Sequence, residues 1–117
     1  MDATRKATLL AAGVDVDSAL ERFMGNEKML DKYLGRFLEE KTYAALIAAV
    51  QADDEQAAAA AMHTLKSVCG TLGCAGMQAQ VVEQERKLRS GDWAAAKAMM
   101  PDIEQTYNTI CAALREQ

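Results

Sequence analysis

The feature that most constrains the fold is a run of apolar residues at helical spacing between Ala57 and Gly76. On a helix, the apolar positions of this segment recur at steps of four and three residues and form one stripe. The stripe contains Ala58, Met62, Leu65, Cys69 and Leu72. Residues up to Lys66 are strong helix formers, and small residues and glycines follow them. The pattern predicts a long helix with one buried face.

A second set of residues lies beside this stripe and includes His63, the only histidine of the chain. Lys66, Ser67 and Gly70 follow it at three, four and seven residues, so all of them lie on the histidine's side of the helix. Neutral imidazole has a nucleophilic nitrogen near neutral pH, and an ammonium group nearby favours a bound anion. A lone histidine with a nearby lysine is also common on ordinary solvated helix faces, so both interpretations stay open at this point.

The glycines of the same segment call for separate explanations. A glycine inside a helix is less stable than alanine by roughly 0.5–1 kcal/mol. At Gly70 we expect the close approach of another backbone or another protein to compensate for this loss. Gly73 or Gly76 is expected to end the helix as its C-cap, and we favour that role for Gly76.

Composition and periodicity favour a single all-α domain over residues 1–117. Half of the residues are apolar, only 5% are aromatic, and proline occurs once. We expect an antiparallel four-helix bundle with one or two short additional helices at the N-terminus. Leu9 and Leu10 are predicted to face inward in the first of these, and Phe23 and Met24 in the second.

Acidic and amide side chains predict where several helices begin. Asp17 and Asn26 are suitable N-caps for the second and third helical segments. The pair Asp53 and Asp54 marks a turn before the histidine helix. With Asp53 as the N-cap, the amide of Gln56 would fall at the N3 position of a capping box.

Several classes of protein are disfavoured by the sequence. The net charge of −4 argues against a nucleic-acid partner. No apolar run approaches the roughly 20 residues of a membrane span. Cys69, Cys74 and Cys111 are odd in number and lie in apolar helical contexts, so we expect buried free thiols, a reducing cytosol and a cytoplasmic protein.

Catalysis by the chain alone is equally disfavoured. A second histidine that would orient a nucleophile is missing, and His63 with the cysteines lacks any standard zinc spacing. The sequence also contains no P-loop and no glycine-rich nucleotide loop, so we expect no ATP site and no kinase activity of its own.

The segment His63-Thr64-Leu65-Lys66, with Gly70 and Gly73 after it, resembles the motif of the histidine-containing phosphotransfer (Hpt) domain family. The resemblance extends from about Val14 to Leu114. Three positions depart from the family pattern. Ser67 stands where glycine is common, Met77 where leucine is common, and Gln84 where a leucine usually precedes the acidic residue, here Glu85.

The resemblance implies a phosphorelay intermediate. His63 would accept a phosphoryl group from an aspartyl phosphate of a receiver domain and pass it to the aspartate of another receiver. Lys66 would stabilise the phosphoryl charge, and Ser67, Gly70 and Gly73 would leave room for docking. The receiver would supply the Mg²⁺, so the chain would need no cofactor of its own and would act as a monomer. The alternative is a helical adaptor that docks a partner without chemistry.

Overall fold

A computed structural model describes residues 1–116, and every regular element within that range is a helix. In chain order the helices are α1 (Ala3–Ala11), α2 (Val16–Arg22), α3 (Glu27–Phe37), α4 (Thr42–Gln51), α5 (Glu55–Leu72), α6 (Ala75–Arg89), α7 (Trp93–Ala98) and α8 (Met100–Arg115). The all-α prediction is therefore confirmed.

Short polar side chains cap the N-termini of five helices. In each case a side-chain oxygen accepts a hydrogen bond from a backbone N–H of the first turn, which would otherwise lack a partner. The capping residues are Asp2, Asp15, Asn26, Asp54 and Asp92. The prediction for Asn26 is confirmed, whereas the N-cap of α2 is Asp15 and Asp17 lies in the first turn of that helix.

The start of α5 also differs from the prediction by one residue. Asp54 is its N-cap and accepts from the N–H of Ala57 at 3.1 Å. Asp53 instead adopts a left-handed conformation with φ of 52°. Gln56 consequently lies at the second position of the helix, so the expected capping box is wrong.

Asp53 connects the α4–α5 turn to α7. Its Oδ1 accepts from Nε1 of Trp93 at 3.1 Å and from Nζ of Lys97 at 2.7 Å. The bond from Lys97, followed by the bond from Trp93, holds the pKa of the Asp53 carboxyl below its ordinary value. These two contacts fix the short helix α7 against the beginning of α5.

A Schellman motif ends α5 at Gly73. The N–H of Cys74 donates to the carbonyl of Cys69 at 2.9 Å, and the N–H of Gly73 donates to that of Gly70 at 3.4 Å. Gly73 has φ of 77°, a conformation that side chains disfavour. Gly76, which we favoured as the C-cap, lies within α6.

Helix α5 lies at the centre of the fold and packs against α4 and α6, with further contacts to α2 and α3. Helix α8 packs against α6, α7, α3 and α1. All five residues of the predicted apolar stripe on α5 are buried. Two other predicted core residues are exposed: Leu10 faces away from the core, and Met24 is 94% exposed in the turn after α2.

Gln84 is fully buried where the family pattern has leucine. Its Nε2 donates to the carbonyl oxygen of Ala96 at 3.1 Å, close to the junction of α7 and α8. The same Nε2 lies 3.1 Å from Sδ of Met100, and the carbonyl of Ala96 also accepts from the N–H of Met99 at 3.3 Å. Within residues 1–116, Oε1 of Gln84 has no hydrogen-bond partner, so the buried amide is only partly satisfied and nothing in the structure explains a polar residue at this position.

Candidate functional site

The imidazole of His63 projects from α5 into solvent with 67% of its side chain exposed. Its Nδ1 lies 3.9 Å from Oε2 of Glu85, which is located on the neighbouring helix α6. One turn along α5, Nζ of Lys66 donates to Oε1 of the same carboxylate at 2.8 Å. The two predicted residues therefore lie together, and an acidic residue from α6 links them.

Glu85 is the buried member of this group, with 7% of its side chain exposed. The hydrogen bond from Lys66 lowers the pKa of the Glu85 carboxyl below its ordinary value. Burial opposes that effect, and the charges of Lys66, Arg89 and His63 add to it. Glu85 is consequently ionised at neutral pH.

A second cation reaches the same carboxylate from within α6. Nη2 of Arg89 lies 3.4 Å from Oε2 of Glu85, while 68% of the Arg89 side chain remains exposed. We call His63, Lys66, Glu85 and Arg89 the histidine cluster. It contains two cations and one buried anion around one exposed imidazole, so the two cations exceed the carboxylate by one positive charge.

Ser67 is exposed one turn after His63 on the same side of α5. Its hydroxyl donates to the carbonyl oxygen of His63 at 3.3 Å, so the side chain lies against its own helix. Serine therefore leaves the surface beside the imidazole nearly as open as the glycine that is common there in the family.

The close approach expected at Gly70 comes from α6 of the same chain. A Cβ added at Gly70 would lie 2.5 Å from Nε2 of Gln78. That amide donates to the carbonyl of Lys66 at 3.4 Å. The packing of Gln78 thus explains the glycine, and a docking role for Gly70 stays a prediction.

Gly73 is buried and does not reach the surface. A Cβ at this position would meet the backbone oxygen of Asp15 at 2.5 Å and the Cβ of Ala19 at 3.1 Å. The close packing of α2 against the end of α5 therefore accounts for Gly73 without a partner protein, and we no longer include it in the docking surface.

A groove runs along the other flank of α5, between this helix and α3. Its volume is about 440 Å³, and its lining includes Thr64, Ser67, Val68 and Tyr33. A second cavity of about 510 Å³ shares Tyr33 with it and reaches Phe23, Met24 and Met29 near the start of α3. We call these two neighbouring cavities together the α3–α5 groove. It places apolar surface within one turn of His63.

Sequence reasoning did not assign Glu85 and Arg89 to the site. Once Glu85 is recognised, Arg89 follows from the sequence, because a residue four positions later on a helix lies on the same face. Glu85 itself is 22 positions after His63, and only the register of α6 against α5 brings the two together.

Comparison with known families agrees with this geometry. The Hpt domain family matches residues 32–116, so the chain belongs to that family. No curated protein and no solved structure matches the chain. Hpt domains serve phosphotransfer in two-component signalling and typically interact with receiver domains. Among residues 1–116, none of the helices combines the length and apolar character needed to cross a membrane.

Proposed function

We propose that this protein is a phosphorelay intermediate in which His63 receives a phosphoryl group from the aspartyl phosphate of one receiver domain and passes it to the aspartate of another. The main support is the exposed imidazole of His63 beside Lys66 and Arg89, in a chain that belongs to the Hpt family. The proposed protein acts in the cytoplasm as a monomer, and its receiver partners provide the Mg²⁺.

The position of Glu85 favours Nε2 of His63 as the nucleophile. Glu85 faces Nδ1, so a proton on Nδ1 is stabilised and the lone pair is on Nε2. In the transfer, Nε2 attacks phosphorus and an N–P bond forms. The P–O bond of the aspartyl phosphate breaks, and its electron pair stays on the aspartate carboxylate. The imidazolium that results then releases its Nδ1 proton to water.

Lys66 is proposed to stabilise the charge of the phosphoryl group. Phosphorylation adds close to two negative charges at neutral pH, and a flexible ammonium one helical turn away lowers the free energy of that state. Lys66 also binds Glu85, so its effect on the phosphoryl group and its effect on stability have to be measured separately.

The proposed docking surface consists of the face around His63, Ser67 and Gly70 together with the α3–α5 groove. The groove offers partly exposed apolar side chains, Met29 and Tyr33, next to a site that must approach a partner closely. An exposed apolar surface of this kind is typical of protein interaction sites. We further infer an antiparallel four-helix bundle formed by the α3–α4 segment, α5, α6 and α8, because these elements contact one another in a closed ring.

Phosphorylation of His63 is tested by incubating the protein with a phosphorylated receiver domain. We expect label that is stable in alkali and labile in acid on the wild type and none on His63→Gln. Because His63 is the only histidine, phosphohistidine can form at no other position. Alkali-stable, acid-labile label on His63→Gln would exclude this acceptor, and binding of the receiver without any label would favour the adaptor.

A further inference from the structure

Glu85 occupies an unusual position for a site that is to accept an anion. Its carboxylate is almost fully buried and lies between the imidazole of His63 and the two cations of the cluster. Lys66 contacts one of its oxygens, and Arg89 contacts the other. Both positive charges next to the acceptor are therefore already paired before any phosphoryl group arrives.

This pairing limits how far Lys66 and Arg89 can move towards a phosphoryl group on His63. A buried carboxylate that loses its partner is strongly destabilised, because neither water nor another donor replaces the lost bond. Lys66, with 28% of its side chain exposed, is consequently held by Glu85. Arg89 is more exposed and makes the longer contact, so it is freer to turn towards His63.

Glu85 also acts on the phosphoryl group directly. Its Oε2 lies 3.9 Å from Nδ1 of the imidazole, so a phosphoryl group on Nε2 would be only a few ångströms further away. At that separation two like charges still repel each other appreciably at an effective dielectric constant of about 20. Competition for cations and direct repulsion both make phosphorylated His63 less stable.

We propose that Glu85 sets the phosphoryl-transfer equilibrium of His63 by holding Lys66 and Arg89 and by repelling the phosphoryl group, so that the phosphorylated domain remains a good donor. This proposal rests on the proposed function of His63. Glu85 is a positioning residue in this account, since it acts through the two cations and the local charge and forms no bond to phosphorus.

The test uses phosphoramidate, which phosphorylates histidine without a partner protein. Nε2 of His63 attacks phosphorus, the P–N bond of phosphoramidate breaks, and ammonia leaves with the electron pair and takes up the proton released by Nδ1. The phosphorylated fraction at a fixed ratio of phosphoramidate to ammonium gives the equilibrium constant. The decay of the ³¹P signal after removal of phosphoramidate gives the lifetime of phosphohistidine.

We expect Glu85→Gln to raise this equilibrium constant and the lifetime about three- to tenfold relative to the wild type. The matched control is Glu83→Gln, the same change two residues earlier on α6, where among residues 1–116 the carboxylate pairs only with Arg86. The control should behave like the wild type. In the double variant Glu85→Gln/Arg89→Gln, part of the gain should disappear, because one of the two released cations is gone while Lys66 remains released and the repulsion by Glu85 remains absent.

Equal constants for Glu85→Gln and Glu83→Gln, or a lower constant for Glu85→Gln, would overturn the proposal. Failure of the wild type to become phosphorylated would instead contradict the proposed role of His63. If Glu85→Gln does not fold, as judged by circular dichroism, the double variant Lys66→Met/Glu85→Gln, which removes both partners of the ion pair, replaces it with Lys66→Met as its reference. A higher equilibrium constant for the double variant than for Lys66→Met then supports the proposal, and equal constants reject it.

Discussion

Nζ of Lys66 and Oε1 of Glu85 lie 2.8 Å apart and join α5 to α6 across 19 residues of sequence. The lysine therefore has two roles in one place. It completes the surroundings of a buried carboxylate, and it provides the positive charge nearest to the proposed phosphoryl acceptor on its own helix. A substitution at Lys66 affects stability as well as phosphotransfer.

We predict that Lys66→Ala slows phosphotransfer by about 1–2 kcal/mol in the barrier, the usual contribution of a charge-assisted hydrogen bond. It should also lower the free energy of unfolding by a similar amount, because Glu85 loses its principal partner. Single-turnover transfer from a phosphorylated receiver measures the first effect, and urea unfolding measures the second.

The double variant Lys66→Ala/Glu85→Gln separates the two effects. It should recover stability, because no unpaired carboxylate is buried any longer. If Lys66→Ala leaves both the transfer rate and the stability unchanged, the lysine has neither of these roles.

The pH dependence of stability should show the same ion pair. The folded state lowers the pKa of Glu85, so its stabilising contribution is present above the ordinary carboxyl value of 4.5 and disappears as the pH falls through the lower folded value. We predict that the difference in unfolding free energy between wild type and Lys66→Met is largest near neutral pH and shrinks below about pH 4.5. Other carboxylates with lowered pKa, such as Glu83, contribute equally to both proteins. A difference that is constant down to about pH 3 would contradict the pairing.

The features predicted correctly from the sequence depend on short-range periodicity. The helix around His63 and its buried stripe follow from apolar residues at steps of three and four, because helical geometry alone aligns them. Lys66 and Ser67 lie beside His63 for the same reason. Glu85 could not be placed in this way, since its position next to Lys66 depends on the packing register of α6 against α5.

The stability of Gly70 variants should depend on Gln78. Alanine is a better helix former by about 0.5–1 kcal/mol, but its methyl group would displace the Gln78 amide from the carbonyl of Lys66. We expect Gly70→Ala to leave the unfolding free energy nearly unchanged. The same substitution in a Gln78→Ala background should stabilise by about 0.5–1 kcal/mol. Equal effects of Gly70→Ala in the wild-type and Gln78→Ala backgrounds would show that displacing the Gln78 amide does not change the free energy of unfolding.

Gly73→Ala should destabilise the protein by about 2 kcal/mol or more, because a left-handed conformation and a backbone contact both disfavour the methyl group. Gly91→Ala is the matched control. Gly91 also has positive φ, at 88°, but apart from its chain neighbours no atom of residues 1–116 lies within 4 Å of its added Cβ. It should lose only about 1 kcal/mol in thermal or urea unfolding. Similar losses of stability for both variants would mean that the backbone of Asp15 moves away from the added methyl group at little cost in free energy.

The proposed docking surface can be tested with two exposed apolar residues. Met29 borders the α3–α5 groove, and Leu10 has nearly the same exposure on α1. We expect Met29→Glu to weaken binding of a receiver domain about tenfold and Leu10→Glu to leave it unchanged. Isothermal titration calorimetry with each variant measures both affinities. Equal weakening, or none in either variant, would remove the groove from the docking surface.

The errors in the sequence analysis have local physical causes. Two aspartates precede α5, and either side chain can cap a helix. The left-handed backbone of Asp53 decides in favour of Asp54, and no pattern in the sequence specifies that conformation. Leu10 and Met24 are apolar, but hydrophobicity does not reveal whether another element covers them. The burial of Gln84 could not be predicted either, because its hydrogen bond to the carbonyl of Ala96 depends on the packing of α6 against α7.

The contact between Trp93 and Asp53 has a spectroscopic consequence. Trp93 is the only tryptophan, and its half-buried indole donates to a residue just before α5. His63 lies nine residues after the N-cap of α5, roughly 14 Å along the helix axis. Indole fluorescence should therefore report the opening of the α4–α5 turn and α7 and remain insensitive to chemistry at the imidazole. Unfolding and phosphorylation can then be followed in one sample, by emission and by ³¹P resonance, without a label.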